Sequence, residues 1–156
     1  SSSSMIAIVI GLFLVVGGSL GVYFVYQNTS REQIVTPSDA MISNKPVRGP
    51  LTMYAQADII RKHTLTMTNG QTYAQMPRQI AKRDEAGKPV MDVEGKPVMV
   101  ANTARDIWIT ATVLTNALYM GMLAYAFSGL TVLVGLLVVW AGIIFGACKK
   151  QSPSRS

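Results

Sequence analysis

Residues 107–148 read IWITATVLTNALYMGMLAYAFSGLTVLVGLLVVWAGIIFGAC, 42 positions without one charged side chain. A bilayer core of roughly 30 Å needs only about 20 helical residues. The run is long enough for two crossings, or for one crossing with a helical extension outside the bilayer. Two crossings would require a reversal at Ser128-Gly129. That joint is tight, since connections between antiparallel helices usually take about 2–8 residues. The first half of the run is also weakly apolar, and Thr110, Thr112, Thr115 and Asn116 would need partners in lipid. We therefore read residues 119–148 as one transmembrane helix and residues 102–118 as its extramembrane helical stem.

A second uncharged run, MIAIVIGLFLVVGGSLGVYFVYQN, occupies residues 5–28. It has no basic segment before it and no clean small-x-small cleavage site after it, and its apolar stretch exceeds that of a signal peptide. Residues 5–27 read as a retained transmembrane helix, with the four leading serines as an added extension and Met5 as a start. The expected fold class is thus mainly α: an integral membrane protein with two transmembrane helices, the second long and extending out of the bilayer. Gly17 and Gly21 share a small-xxx-small spacing that Gly142 and Gly146 repeat. Such spacing lets helix backbones approach closely in lipid, where no hydrophobic drive brings helices together. The alternative is the ordinary abundance of glycine in membrane helices.

Between the apolar runs, residues 29–106 carry 11 Lys/Arg and 8 Asp/Glu. Mixed signs spread over that length describe a solvated surface and not a nucleic-acid footprint, which clusters its charge. Residues 28–101 form the loop region. It opens with the turn signals Thr36-Pro37-Ser38-Asp39, Lys45-Pro46 and Gly49-Pro50, which predict a connecting arm. A helix is predicted over about 52–67, where Met53, Ala57, Ile60 and Thr64 share a stripe and Asn69-Gly70 supplies the stop. Residues 72–76 read as a short helix ended by Pro77. Gly87-Lys88-Pro89-Val90-Met91 recurs as Gly95-Lys96-Pro97-Val98-Met99, and the valines flanking Glu94-Gly95 predict a β-hairpin. So small a region can build only a small core, which favours packing on the membrane surface or on another subunit.

Topology follows from parity. Lys149 and Lys150 abut the second run and argue for a cytoplasmic tail over residues 149–156. Two crossings in total place both termini in the cytoplasm and the loop outside the cell membrane. Three crossings would place the loop inside.

His63 is the sole histidine, which argues against a zinc site or a two-histidine-one-carboxylate iron centre within one chain. There is no phosphate-binding glycine loop, nucleophile elbow or CxxC. No catalytic, metal or cofactor residue is expected. His63, beside Arg61 and Lys62, reads as a helix-surface residue. The lone Cys148 excludes an intrachain disulfide and reads as a free juxtamembrane thiol, with acylation as the alternative. Tyr119, Tyr125 and Trp140 read as interfacial anchors or packing residues, with contacts to lipid or a quinone-like ligand as the alternative. No charge interrupts either membrane segment, which argues against an ion pathway.

The stretch GPLTMYAQADII at 49–60, followed by His63 and then NGQTYA at 69–74, resembles a family of small actinobacterial membrane proteins. The resemblance covers most of the chain. It implies an N-terminal anchor, an extracytoplasmic loop and a final long apolar helix. Tyr54, Gln56, Asp58, His63 and Tyr73 carry the shared motif, which has no assigned chemistry. The last helix departs from the family pattern, with Thr115-Asn116-Ala117 where an arginine-containing motif is usual, and residues 86–100 look like an insertion. Members are often labelled aromatic ring-opening dioxygenases. The single histidine argues against that label here, because such an enzyme needs more metal ligands.

These readings lead to an expected non-catalytic accessory subunit of a large actinobacterial membrane complex, with membrane lipids and the subunits of that complex as partners. The respiratory cytochrome bcc–aa3 supercomplex is the complex expected from the type of protein and organism that the resemblance implies. The alternative is a free-standing cell-envelope factor whose loop binds an envelope component or a secreted partner.

Overall fold

The computed structural model describes residues 2–151, and the last three of these by backbone alone. Residues 152–156 of the expected tail lie outside the described residues, as do the side chains of Lys149 and Lys150. Three helices and a two-stranded ladder make up the fold: α1 (Ser2–Arg31), α2 (Pro50–Met67), β1 (Gln79–Ala81), β2 (Met99–Ala101) and α3 (Thr103–Gln151). The helix α3 is unbroken over its 49 residues, with Ser128 and Gly129 in mid-helix. The reversal that a pair of crossings would need is not there. At about 1.5 Å per residue α3 is roughly 73 Å long, and it serves as a spine along which α1 and α2 both pack. Both α1 and α3 are long and apolar enough to cross a membrane.

The α1–α3 pairing is antiparallel and rests on small residues spaced by seven. Gly142 lies against Ser4 and Ile8, Gly11 against Gly135 and Val139, and Gly18 against Ser128 and Val132. A Cβ on Gly11 would sit 2.7 Å from the Gly135 carbonyl oxygen, and one on Gly135 would sit 2.7 Å from that of Gly11. The two backbones therefore touch at this rung. At the first rung the Ser4 hydroxyl donates to the Gly142 carbonyl at 2.5 Å. A repeat of seven keeps one face in contact when two helices wind left-handed around each other. The three rungs, together with the Val25 level, span 22 residues of α1, about 33 Å, close to the thickness of a bilayer core.

Beyond the end of α1 the spine is covered by α2. Gly49 is the extended residue before the helix, and the Thr52 hydroxyl reaches back to accept from the Arg48 and Gly49 amides at 3.1 and 3.3 Å. Pro50, with no N–H to satisfy, starts the helix two residues before the predicted position. At its far end Asn69 (φ 52°) and Gly70 (φ 75°) turn left-handed, and the Gly70 amide bonds back to the Leu65 carbonyl at 2.7 Å. Met53, Ala57 and Leu118 pack with Val47 of the arm into a small core, flanked by Val25, Ile34, Ile60 and Met122. All three helices and the arm meet there. The arm itself is a tight loop: Val35 pairs with Pro46, and Thr36, 1% exposed, exchanges bonds with Lys45.

Residues 72–76 form a turn and not the short helix predicted. The Thr72 amide and hydroxyl both donate to Gln75 Oε1, and the Gln75 amide returns to the Thr72 carbonyl. Five residues ahead of a proline cannot offset the cost of nucleating a helix. Arg105 fastens this turn to the start of α3. Its guanidinium donates to the Met76 carbonyl at 2.6 Å and lies 3.9 Å from the Tyr73 ring centre. Asn102 caps α3 through the Ala104 amide and also donates to the Pro77 carbonyl.

The repeat builds more than one hairpin. Strands β1 and β2 pair antiparallel as a neck, with Ile80 opposite Val100. Inside the neck come two successive turns, each opened by an aspartate whose Oδ1 accepts two amides: Ala86 and Lys88 on Asp84, Glu94 and Lys96 on Asp92. Gly87 (φ 74°) and Gly95 (φ 77°) take the left-handed position that each turn needs. Lys82, Val90 and Val98 then bond in a ring: the Lys82 amide to the Val98 carbonyl, Val98 to Val90, and Val90 to Lys82, each at 2.8 Å. The bridges Arg83–Pro89 and Met91–Pro97, with Ala81–Met99 of the neck, repeat at the same offset of eight. The result is a three-lobed projection with approximate threefold symmetry, held by backbone bonds and almost no core.

Candidate functional site

The α1–α3 pair leaves nearly all of its side chains uncovered. Within each apolar window 11% of residues are buried, and Phe13, Phe24, Phe127, Trp140 and Phe145 are each more than half exposed. An exposed apolar surface of this size on two helices is compatible with a membrane location.

Of the four glycines singled out by spacing, Gly21, Gly142 and Gly146 lie on the α1–α3 contact and Gly17 does not. Gly17 points away from α3 and a Cβ there would meet nothing within 4 Å. Gly21 lies against Ser128, Gly142 against Ser4 and Ile8, and Gly146 against the Ser4 hydroxyl. The seam instead follows Ser4, Gly11 and Gly18 against Ser128, Gly135 and Gly142. The seven-residue spacing was visible in the chain, but it competed with the four-residue spacing of Gly17-Gly21.

The aromatic anchors fall at two levels. Tyr125 donates its hydroxyl to the Arg48 carbonyl at 2.5 Å and ties the arm to α3. Tyr119, 44% exposed, closes the lower end of a groove of about 180 Å³ between α2 and α3. Thr112, Thr115 and Asn116 line its polar side, and Arg61 stands over the Trp108 ring at 5.8 Å. Trp140 lies 15 residues beyond Tyr125 on the outer surface of α3, about 22 Å further along the axis.

The motif residues of α2 serve separate local contacts. Asp58 pairs with Lys62 at 2.7 Å, Tyr73 lies under Arg105, and Tyr54 is 45% exposed. Gln56 Oε1 is buried without a hydrogen-bond partner among the described residues. His63 Nε2 and Asp39 Oδ2 lie 2.7 Å apart and clamp the arm to α2. The described residues hold no cluster of three or more His, Cys, Asp and Glu placed to ligate a metal. Cys148 is an exposed free thiol.

The bond from His63 holds the Asp39 carboxyl below its ordinary value of 3.8. A lowered carboxylate pKa means that the clamp is present above the unfolded value and is lost as pH falls through the folded one. We expect the arm amides of Ala40 and Asn44, corrected for intrinsic rate, to exchange severalfold faster at pH 3 than at pH 6. His63→Ala should reproduce that mobility at pH 6. Equal protection at the two pH values would remove the clamp from the argument.

Comparison with models of known protein families, with curated proteins and with solved structures finds no match to this chain.

Proposed function

We propose that this protein is a non-catalytic accessory subunit of a large membrane complex, with both termini cytoplasmic and the arm, α2 and the three-lobed projection outside. The observation that carries this reading is an apolar stripe on the stem. By the register of the seam, Arg31 at the end of α1 stands level with position 115 of α3, so the stem beyond it projects past α1. There Ile109, Val113 and Leu114 remain 46%, 62% and 49% exposed. The projection adds Met91 at 56% and Val93 fully exposed. Exposed apolar groups at that level are covered at the least cost by the extramembrane part of a neighbouring subunit. A stiff 49-residue helix joining that surface to the apolar pair suits a part that is held at two depths by one larger body.

As that body we propose the respiratory cytochrome bcc–aa3 supercomplex, a choice that rests on the type of protein and organism expected from the sequence and not on any one residue. The chain is expected to co-purify with a tagged cytochrome subunit in mild detergent, at a stoichiometry near that of the tagged subunit. Its absence from intact supercomplex would sink the assignment and favour the free-standing envelope factor.

A further inference from the structure

Phe13, Gly17, Leu20, Phe24, Gln27 and Arg31 are spaced by four, three, four, three and four residues, which puts them on one face of α1. That face is opposite the seam residues Gly11, Gly18 and Val25, and Gly17 leaves it notched. Along its upper half runs a groove of about 600 Å³ whose lining comes from α1 alone. The lining changes character along the axis. Leu20, Tyr23 and Phe24 form the lower part, and Gln27, Asn28 and Arg31 form the upper part. From Leu20 to Arg31 is about 16 Å, the span from the outer acyl region of a bilayer leaflet through its headgroups.

The polar end has donors to spare. Gln27 Nε2 donates to the Tyr23 hydroxyl at 2.7 Å and Asn28 Nδ2 to the Phe24 carbonyl at 2.8 Å. Each amide group has two N–H bonds, so each keeps one for another acceptor. Arg31 makes no ion pair among the described residues, and its neighbour Glu32 does not pair with it. No other element contributes a side chain to the groove, so no carboxylate on another element lines it. An unpaired guanidinium above an apolar trough matches a phosphate above an acyl chain, and the guanidinium fork suits phosphate oxygens.

We propose that this face of α1 holds one anionic phospholipid, with its phosphate on Arg31 and the upper part of an acyl chain along Leu20 and Phe24. The proposal rests on the membrane reading of α1 and α3. Its test therefore begins with alkaline extraction of membranes that contain the full chain: release into the soluble fraction would overturn both. The purified full chain is then placed in equimolar dioleoyl-phosphatidylglycerol and dioleoyl-phosphatidylcholine and its retained lipid is read by native mass spectrometry. We expect one retained phosphatidylglycerol, favoured about fivefold, the usual contribution of one basic residue at an anionic surface. Arg31→Gln should bring the preference close to unity, Arg31→Lys should restore most of it, and Lys45→Gln should leave it in place. The proposal fails if the wild-type chain retains both lipids equally, or if Arg31→Gln keeps the preference. It also fails if the face is occupied by a second copy, seen as a lipid-free dimer. A chain that resists extraction yet shows any of these results leaves the membrane reading intact and removes the lipid site alone.

Discussion

Gly135→Leu is expected to separate α1 from α3. A Cβ at this position already falls 2.7 Å from the Gly11 carbonyl oxygen and 2.8 Å from the Val15 amide nitrogen. Both are backbone atoms, so no rotamer change makes room. The helices must move apart, and the neighbouring rungs at Gly142 and Ser128 lose contact with them. Overpacking a close-packed site costs about 1–3 kcal/mol and more where backbone must shift. We expect a cost near the top of that range, about 3 kcal/mol, which lowers the melting midpoint in detergent by about 6–12 °C. Gly129→Leu is the matched control, since a Cβ there meets nothing within 4 Å. A midpoint unchanged in Gly135→Leu, or lowered equally by both, would refute the seam.

The second large effect lies in the small core. Met53 is 2% exposed, and its Sδ and Cε atoms fill the space over Gly121, where a Cβ would stand 3.2 and 3.0 Å from them. Met53→Ala removes the side chain that joins α2 to the spine, and nothing else reaches that hollow. Truncations of this kind cost about 2–5 kcal/mol. At about 3 kcal/mol, exchange of the α2 amides should accelerate by about a hundredfold. The α1 amides around Gly11 and Gly18 should not change, because the seam has its own contacts. Acceleration along all of α1 would show that the two packing regions are one cooperative unit.

These two substitutions separate what α3 does at its two ends. Its C-terminal half meets α1 through backbone approach, with little side-chain burial. Its N-terminal half meets α2 through ordinary apolar side chains. In lipid, helices associate through close packing of small residues, because the apolar effect is absent there. In water, burying Met53, Val47 and Leu118 is itself favourable.

The helical content and the placement of its long elements were legible in the chain. The uncharged runs at 5–28 and 107–148 could only be long apolar helices, and the weak apolarity around Thr110–Asn116 argued for a stem. The stripe of Met53, Ala57, Ile60 and Thr64 marked one side of α2: Met53, Ala57 and Thr64 are buried and Ile60 partly so, while Ala55 and Ile59 are buried outside the stripe. The turn at 72–76 departs from the expected short helix because the Gln75 side chain caps it, a contact that helical propensity does not weigh. The ring of bonds among Lys82, Val90 and Val98 was hidden for another reason. A repeat of eight residues announces two similar turns, but only the pairing of β1 with β2 closes them into a third side.

What the sequence determined by itself was which segments are apolar helices and where the polar chain between them turns, because charge and proline are local signals. Which face of α1 meets α3 was decided only by the tertiary structure. The helix is apolar all round, so no polar side marks the outside, and it offers glycines at 11, 17, 18 and 21 on different faces. Gly11 and Gly18 oppose the backbone of Gly135 and Ser128, so backbone meets backbone there, whereas Gly21 meets the Ser128 side chain and Gly17 is left facing outward.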